Sequence, residues 1–248
     1  TTAMLQVVLV KPERFEEASD IADSLNAKKT VVLNLENTPK EHASKLLCFL
    51  SGVAYANAGA LNVTGGAYSG NTVTGNGGAI YAAPSSAVRV DGAALTSNRA
   101  ADNTSGGALI GYDADVTLRN VTMTGNTAGY GGAAAILGGK LTMEGENTVE
   151  GNIGKGRAGA FDIGKNTTEA EVAIDGTVFD ENTAPYAGAI YMKNSSVAIT
   201  DSIFNKNTAT NGNGGAIYTT QGTHSINAVF TDNTASADGG AVGITAAT

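Results

Sequence analysis

Carboxylate side chains on neighbouring sequence repeats are the first candidates for chemistry in this chain. When the repeats after Leu61 are aligned, they collect in the fourth and fifth repeats as Glu144, Glu150, Asp175, Asp180 and Glu181. Glu144 and Asp175 hold the same repeat position, which predicts a separation of about 4.8 Å if repeats stack as strands. Carboxylates that close can share a proton, bind Ca²⁺, or act as acid and nucleophile on a glycan. The plainer interpretation is a solvated acidic face.

Tyrosines that follow the repeated G-G-A-I element form a second candidate surface. This position is held by Tyr81, Tyr191 and Tyr218. Tyr191 and Tyr218 belong to adjacent repeats, so they can stack on a sugar, or they can simply be residues that favour β-strands. The seven ligand or cation candidates are thus the five carboxylates with Tyr191 and Tyr218, and no residue is assigned a catalytic role.

Metal and nucleophilic chemistry find little support elsewhere in the sequence. The two histidines, His42 and His224, lie far apart, and neither has a cysteine or a second histidine at metal-ligand spacing. No Ser-His-Asp arrangement is indicated, and G-x-S-x-G, phosphate-loop and H-E-x-x-H patterns do not occur. The sequence therefore predicts no metal site and no cofactor, and it favours a protein that is not an enzyme.

The candidate side chains must be positioned by an array of repeats. Each repeat contains an apolar V-x-I pair, a run that ends F-x-x-N, and a G-G-A-I element. The asparagine of F-x-x-N recurs every 25 to 30 residues, at Asn71, Asn98, Asn126, Asn152, Asn182, Asn207 and Asn233. Because the pattern matches between periods, one period predicts one coil of a parallel β-helix. The predicted fold is mostly β: a parallel β-helix of about seven coils over residues 59–248, for which the family resemblance of the repeats given below implies the right-handed sense.

Stacking of identical positions predicts a role for each column of residues. Phe179, Phe204 and Phe230 are expected to form an inward ladder. Stacked asparagine amides can bond one another along the axis, which would satisfy buried polar groups. The glycines of G-G-A-I are expected where the chain turns with positive φ or approaches the next coil closely.

The first 58 residues have a different pattern. Gln6–Val10 and Thr30–Leu35 are typical of buried strands. Pro12 and Pro39 each suit the first turn of a helix, and apolar residues at helical spacing follow both. The order predicts a small β-α-β-α segment over residues 1–58.

This segment resembles the globular domain of the bacterial cell-division protein SepF over about Val7–Leu61. The resemblance lies in the stretches F-E-E-A, V-V-L-N-L and F-L-S-G-x-x-Y-A. It implies a dimerising α/β domain that binds the tail of the tubulin-like protein FtsZ in the cytoplasm at the division septum. Past Leu61 the family continues with strands that complete its sheet and its partner surface, and here repeats replace them. The segment is therefore expected to be incomplete. It is expected to be either a cap or fused module without division activity, or a working division domain.

The G-G-A-I and F-x-x-N repeats resemble those of chlamydial polymorphic outer-membrane proteins and related bacterial surface adhesins. That resemblance implies a non-enzymatic scaffold at the cell surface or secreted, with a protein or glycan ligand on the β-helix. The first alternative is a SepF-like, FtsZ-binding division protein fused to a β-helix. The second is a carbohydrate-active β-helix enzyme.

Composition narrows these choices. Hydrophobic residues make up 42% of the 248, which is enough for a core, and the net charge of −8 argues against a nucleic-acid partner. No apolar run is long enough to span a bilayer. Cys48 is alone, so no disulfide framework is predicted. Neither a signal peptide nor an initiator methionine is seen, which leaves the compartment open between surface and septum.

Overall fold

The computed structural model describes residues 7–27, 29–56, 60–165 and 168–245. Its helices are a 3₁₀ helix (Phe15–Glu17), α1 (Ala18–Asn26) and α2 (Lys40–Ala56). Strands make up about half of the described residues, so the chain is mostly β as predicted. In order they are β1 (Val7–Val10), β2 (Thr30–Asn34), β3 (Ala60–Thr64), β4 (Ala67–Ser69), β5 (Ile80–Ala82), β6 (Ala87–Asp91), β7 (Ala94–Thr96), β8 (Leu109–Arg119), β9 (Thr122–Thr124), β10 (Thr127–Tyr130), β11 (Ala134–Glu144), β12 (Asn147–Glu150), β13 (Ile153–Arg157), β14 (Phe161–Ile163), β15 (Ala170–Asp175), β16 (Thr177–Asp180), β17 (Thr183–Ala184), β18 (Ile190–Met192), β19 (Ser195–Asn205), β20 (Thr208–Ala209), β21 (Ile217–Thr219), β22 (Gly222–Thr231), β23 (Thr234–Ala235) and β24 (Val242–Ile244).

The strands stack in parallel columns, one for each element of the repeat. The V-x-I column runs through β1, β2, β3, β6, β8, β11, β15, β19 and β22. The F-x-x-N column begins at β4 and the G-G-A-I column at β5, and both continue to the last coil. A short fourth column joins β10, β13, β17, β20 and β23. The result is the predicted parallel β-helix, with about eight turns.

The predicted ladders fill the interior. The ring centroids of Phe179 and Phe204 are 4.7 Å apart, and those of Phe204 and Phe230 are 5.0 Å apart, with the rings nearly parallel. In the G-G-A-I column Ile190 pairs with Ile217, which pairs with Val242. Apolar burial along the whole axis is therefore the main stabilising contribution.

The asparagine ladder is an internal hydrogen-bond chain, as predicted. The Nδ2 of Asn152 donates to Oδ1 of Asn182 at 2.9 Å, and Nδ2 of Asn182 donates to Oδ1 of Asn207 at 3.0 Å. Each amide also donates to a backbone carbonyl of the previous coil, such as Val149 for Asn182. Since Asn182 is fully buried, these bonds remove the cost of unsatisfied polar groups.

The two glycines of G-G-A-I have separate tasks. The first has positive φ, for example +65° at Gly131 and +73° at Gly214. The second allows close approach of the coils, because a Cβ on Gly188 would collide with the carbonyl oxygen of Gly215. In the fifth coil the first position is Ala187, which keeps the left-handed conformation at φ +51°.

The N-terminal segment shares the sheet and core of the β-helix. β2 pairs with β3, so that Val31 and Leu33 continue the inward ladder at Leu61 and Val63. α2 packs on β3, β4 and β5 and buries Leu50 in the same hydrophobic core. α2 therefore covers the end of the first coil, and α1 packs on α2 and β2.

Two details of this segment differ from the sequence-based expectations. β1 is the edge strand of its column, with Val7 and Leu9 56% and 64% exposed, so the prediction of a buried strand is wrong there. The residues after Pro12 form an irregular stretch before the 3₁₀ helix, and α1 begins only at Ala18. Gln6 and the side chain of Cys48 lie outside the described residues. Within the described part of the chain, no helix is long and apolar enough to cross a membrane.

Candidate functional site

The predicted carboxylates lie on two outer columns and are bonded to neighbouring coils. Glu144 and Asp175 follow residues paired in register and so occupy adjacent coils, while Glu150 pairs directly with Asp180. Oε1 of Glu144 is 3.4 Å from Nη1 of Arg89. The first of these columns therefore carries both charge signs rather than a purely acidic face.

Asp175, Asp180 and Glu181 have similar surface partners, and Glu150 is exposed at the end of its strand. Asp175 Oδ1 accepts a hydrogen bond from Thr200 Oγ1 at 2.6 Å. Asp180 Oδ1 accepts one from Asn205 Nδ2 at 2.9 Å, and Glu181 lies 3.6 Å from Lys206. Among the described residues, no group of three or more histidine, cysteine, aspartate and glutamate side chains is arranged to hold a metal ion. None of the five carboxylates is buried, so all of them belong to the outer surface.

The two histidines have different surroundings. His42 Nδ1 accepts a hydrogen bond from the backbone N–H of Phe15 at 3.1 Å. His224 stands in the V-x-I column opposite Val197, beside an open cavity at the end of the last coil. Its ring nitrogens lie 3.2 to 3.4 Å from the hydroxyls of Ser195 and Thr219. Burial lowers the pKa of His224.

Of the three predicted tyrosines, Tyr191 and Tyr218 are neighbours, because their strands pair in register. The ring centroids of Tyr191 and Tyr218 are 5.7 Å apart and the rings are tilted by 58°. Tyr81 is 42% exposed in the first coil, several coils away from them. The stacking pair is thus formed, and Tyr81 stands apart from it.

A larger cluster surrounds this pair, and we call it the corner patch. It consists of Tyr130, Arg157, Asp162, Tyr186, Tyr191 and Tyr218. Arg157 binds Asp162 in two-point fashion, with Nε to Oδ1 at 2.8 Å and Nη2 to Oδ2 at 3.0 Å. The guanidinium carbon also lies 4.8 Å from the ring centroids of both Tyr130 and Tyr191. The arginine is therefore held between two aromatic rings, which favours the cation.

Local backbone geometry places three members of the patch. Tyr130, Arg157 and Tyr186 each directly precede a residue with positive φ. The backbone N–H of Gly131, which follows Tyr130, donates to the carbonyl of Arg157. The backbone N–H of Ala158, which follows Arg157, donates to the carbonyl of Tyr186. The three side chains therefore form one column at the turn before G-G-A-I. Tyr130 and Tyr186 are each the fourth residue after a ladder asparagine. Alignment of the repeats on these asparagines therefore places the two tyrosines at the same repeat position.

Asp162 has an unusual environment for a carboxylate. It occupies the outward position between Ala135 and Tyr191 in the G-G-A-I column, yet its exposure is 0%. Complete burial raises the pKa of Asp162, while the hydrogen bonds and charge of Arg157 act in the opposite direction. A buried ion pair contributes little net stability compared with an apolar alternative. The main effect of Asp162 is therefore to hold the Arg157 side chain in one position.

These features define the class of the protein. The family of right-handed beta helix regions matches residues 51–244, and the chain belongs to this family. Membership gives the coil its right-handed sense, as the repeats predicted.

The N-terminal segment is similar to a second family, described as cell division protein SepF, over residues 7–68. The SepF of Alkaliphilus oremlandii is 46% identical over 56 residues, which is 23% of this chain and 38% of the relative. That of Acetivibrio thermocellus is 39% identical over 61 residues, 25% of this chain and 39% of the relative.

The chain thus spans less than half the length of these curated relatives. No solved structure matches the chain. The two family matches overlap at residues 51–68, the end of α2 with β3 and β4. The SepF-like sequence therefore runs directly into the first coil.

Proposed function

We propose that this protein is a non-enzymatic interaction scaffold of the adhesin kind, at the cell surface or secreted, whose outer faces bind a protein or glycan ligand. One observation carries the proposal: the carboxylates suited to acid and nucleophile roles have other partners. Glu144 lies beside Arg89, and Asp175 accepts from Thr200. What the array offers instead is a long, rigid outer surface built on a continuous core.

The N-terminal segment supports a scaffold role by closing one end of the β-helix. An open end presents unpaired strand edges, which promote association with other chains. Here α2 lies over β4 and β5, and Leu46, Leu47 and Leu50 are buried against the core of the first coil. In this proposal the SepF-like segment serves as a cap.

Binding without turnover is the test of the scaffold. The purified full chain is incubated with immobilised polysaccharides and with host-cell surface proteins, and the supernatant is analysed for released saccharides. We expect retention of the chain without product, and equal retention of Glu144→Ala and Asp175→Ala. Product release that is lost in either variant would reject the scaffold and identify a carbohydrate-active enzyme.

A second candidate function is cell division in the cytoplasm, through FtsZ and a homodimer. The match of residues 7–68 to SepF favours it, and the edge strand β1, with Val7 and Leu9 exposed, leaves one side of the segment accessible. Titration with an FtsZ tail peptide tests this candidate, with light scattering for the dimer. Saturable peptide binding by a dimer supports the division role. A monomer that does not bind the peptide excludes the division role.

A further inference from the structure

We propose that the corner patch is a binding surface for a neutral polysaccharide that lies along the β-helix axis. This inference rests on the proposed scaffold function and names the ligand class and the contact residues. It also extends the Tyr191–Tyr218 pair to a patch on successive coils, in which the buried Asp162 positions Arg157.

Two tyrosines of the patch are held rigidly, and one of them, Tyr186, is an open platform. Tyr130 packs against the backbone of Gly156, and Tyr186 packs against the backbone of Gly212, where a side chain would collide with either ring. Tyr186 is nevertheless 43% exposed. A ring supported on one side and open to solvent presents apolar area at little entropic cost, which suits the C–H face of a sugar.

The second pair continues this surface along the axis. Tyr191 and Tyr218 lie on consecutive coils with their centroids 5.7 Å apart. The residue that follows Tyr218 in the column is Gly243, so no side chain from that position covers the ring. Tyr218 is held by a 3.0 Å hydrogen bond between its hydroxyl and Thr245 Oγ1. The aromatic surface thus extends over several coils, which fits a polymer better than a single sugar.

Arg157 supplies directional polar contact without free charge. Its Nε and Nη2 are occupied by the buried Asp162, and its faces by Tyr130 and Tyr191. In the part of the chain that the structure describes, no hydrogen bond engages Nη1, and the side chain is 36% exposed. A donor whose charge is already neutralised suits hydroxyl oxygens.

The charge of the whole chain favours the same ligand. The net charge is −8, so an anionic polymer would be repelled at long range. A neutral glycan avoids this cost and meets both the aromatic faces and the donor. These properties together point to uncharged hexose polymers.

The experiment measures affinity for soluble neutral polymers, with glucans and mannans as probes and polygalacturonate as the anionic comparison. The full chain is compared with Tyr186→Ala and with Tyr81→Ala, a matched control because Tyr81 is similarly exposed on a distant coil. We expect Tyr186→Ala to weaken binding by about tenfold, as loss of an aromatic contact does at interfaces. Tyr81→Ala is expected to bind as wild type, and circular dichroism at the assay temperature should show that all three chains are folded.

The outcomes separate the patch from the scaffold. Equal affinity of Tyr186→Ala and wild type for a neutral polymer overturns the patch and leaves the scaffold intact. Retention of polygalacturonate alone, or of a protein ligand alone, also overturns the polysaccharide assignment. A folded chain that retains no polymer and no protein refutes the proposed function itself.

Discussion

At the residue scale, Ala187 occupies a backbone position that most repeats give to glycine. Its φ is +51°, whereas Gly131 and Gly214 take +65° and +73° at the same position. A Cβ in this conformation costs roughly 1–2 kcal/mol. The fifth coil therefore contains local strain that coils with glycine at this position avoid, and the fourth coil shares this strain at Ala158, whose φ is +55°.

Replacement of this alanine is the first prediction. Ala187→Gly should raise the free energy of unfolding by about 1 kcal/mol, since relief of the Cβ strain exceeds the entropic cost of glycine. Urea denaturation measures the change. Ala189→Gly is the control, because Ala189 is buried with ordinary φ, and it should lower stability. A destabilised Ala187→Gly would show that the strain is absent.

His224 predicts a pH dependence of stability. Burial lowers its folded-state pKa below the ordinary value of about 6.5. The unfolded chain therefore binds the proton more readily, so stability is full above about pH 6.5 and declines as pH falls through the lowered folded pKa. Thermal unfolding from pH 8 to 5 should show a smaller decline in His224→Val, which carries the residue of the previous coil. Parallel profiles for both chains would contradict this account.

Residue-level chemistry could be predicted only where the repeat spacing is regular. Tyr191 and Tyr218 follow G-G-A-I at a fixed distance, so the sequence identified them as neighbours. Arg157 was missed because the loop after Asn152 is one residue longer than the loops after Asn126 and Asn182, which place Tyr130 and Tyr186. Asp162 is buried where Arg157 binds both of its carboxylate oxygens. The spacing of the repeats does not predict this side-chain contact.

At the element scale, the glycine ladder determines how closely coils approach. Gly188→Ala should lower the free energy of unfolding by about 3 kcal/mol, because its Cβ would meet the carbonyl of Gly215 and overpacking is costly. Chemical denaturation checks the value. Gly75→Ala is the matched control, since a Cβ there meets no atom within 4 Å, and it should change stability by less than about 0.5 kcal/mol. Similar stabilities of the two variants would reject the close-approach role.

The elements themselves were largely predictable, with physical exceptions at the N-terminus. The strand columns followed from the match between periods, because each coil must satisfy the same hydrogen bonds as its neighbours. β1 was expected to be buried from its apolar run, but side chains alternate along a strand, so only Val8 and Val10 take the inward positions and Val7 and Leu9 face outward. Apolar runs alone do not distinguish a central strand from an edge.

At the scale of the whole molecule, the two sequence patterns form one structure. β2 joins the V-x-I column through β3, and the buried leucines of α2 enter the core of the first coil. In a stack of this kind, the stability of each unit depends on its interfaces with the neighbouring units. The division predicted at residue 58 therefore falls inside a shared sheet and core, and its role as a functional boundary stays a prediction.

Native-state hydrogen exchange tests this central claim most directly. In the full chain, the amides of β2 (Thr30–Asn34) and β3 (Ala60–Thr64) should open with the same free energy, since one cooperative unit contains both. Leu50→Ala should lower the protection of both strands together by a common amount, while β11 (Ala134–Glu144) in the central coils keeps its protection. If Leu50→Ala releases β2 and leaves β3 fully protected, the N-terminal segment is an independent domain and not the cap of the β-helix.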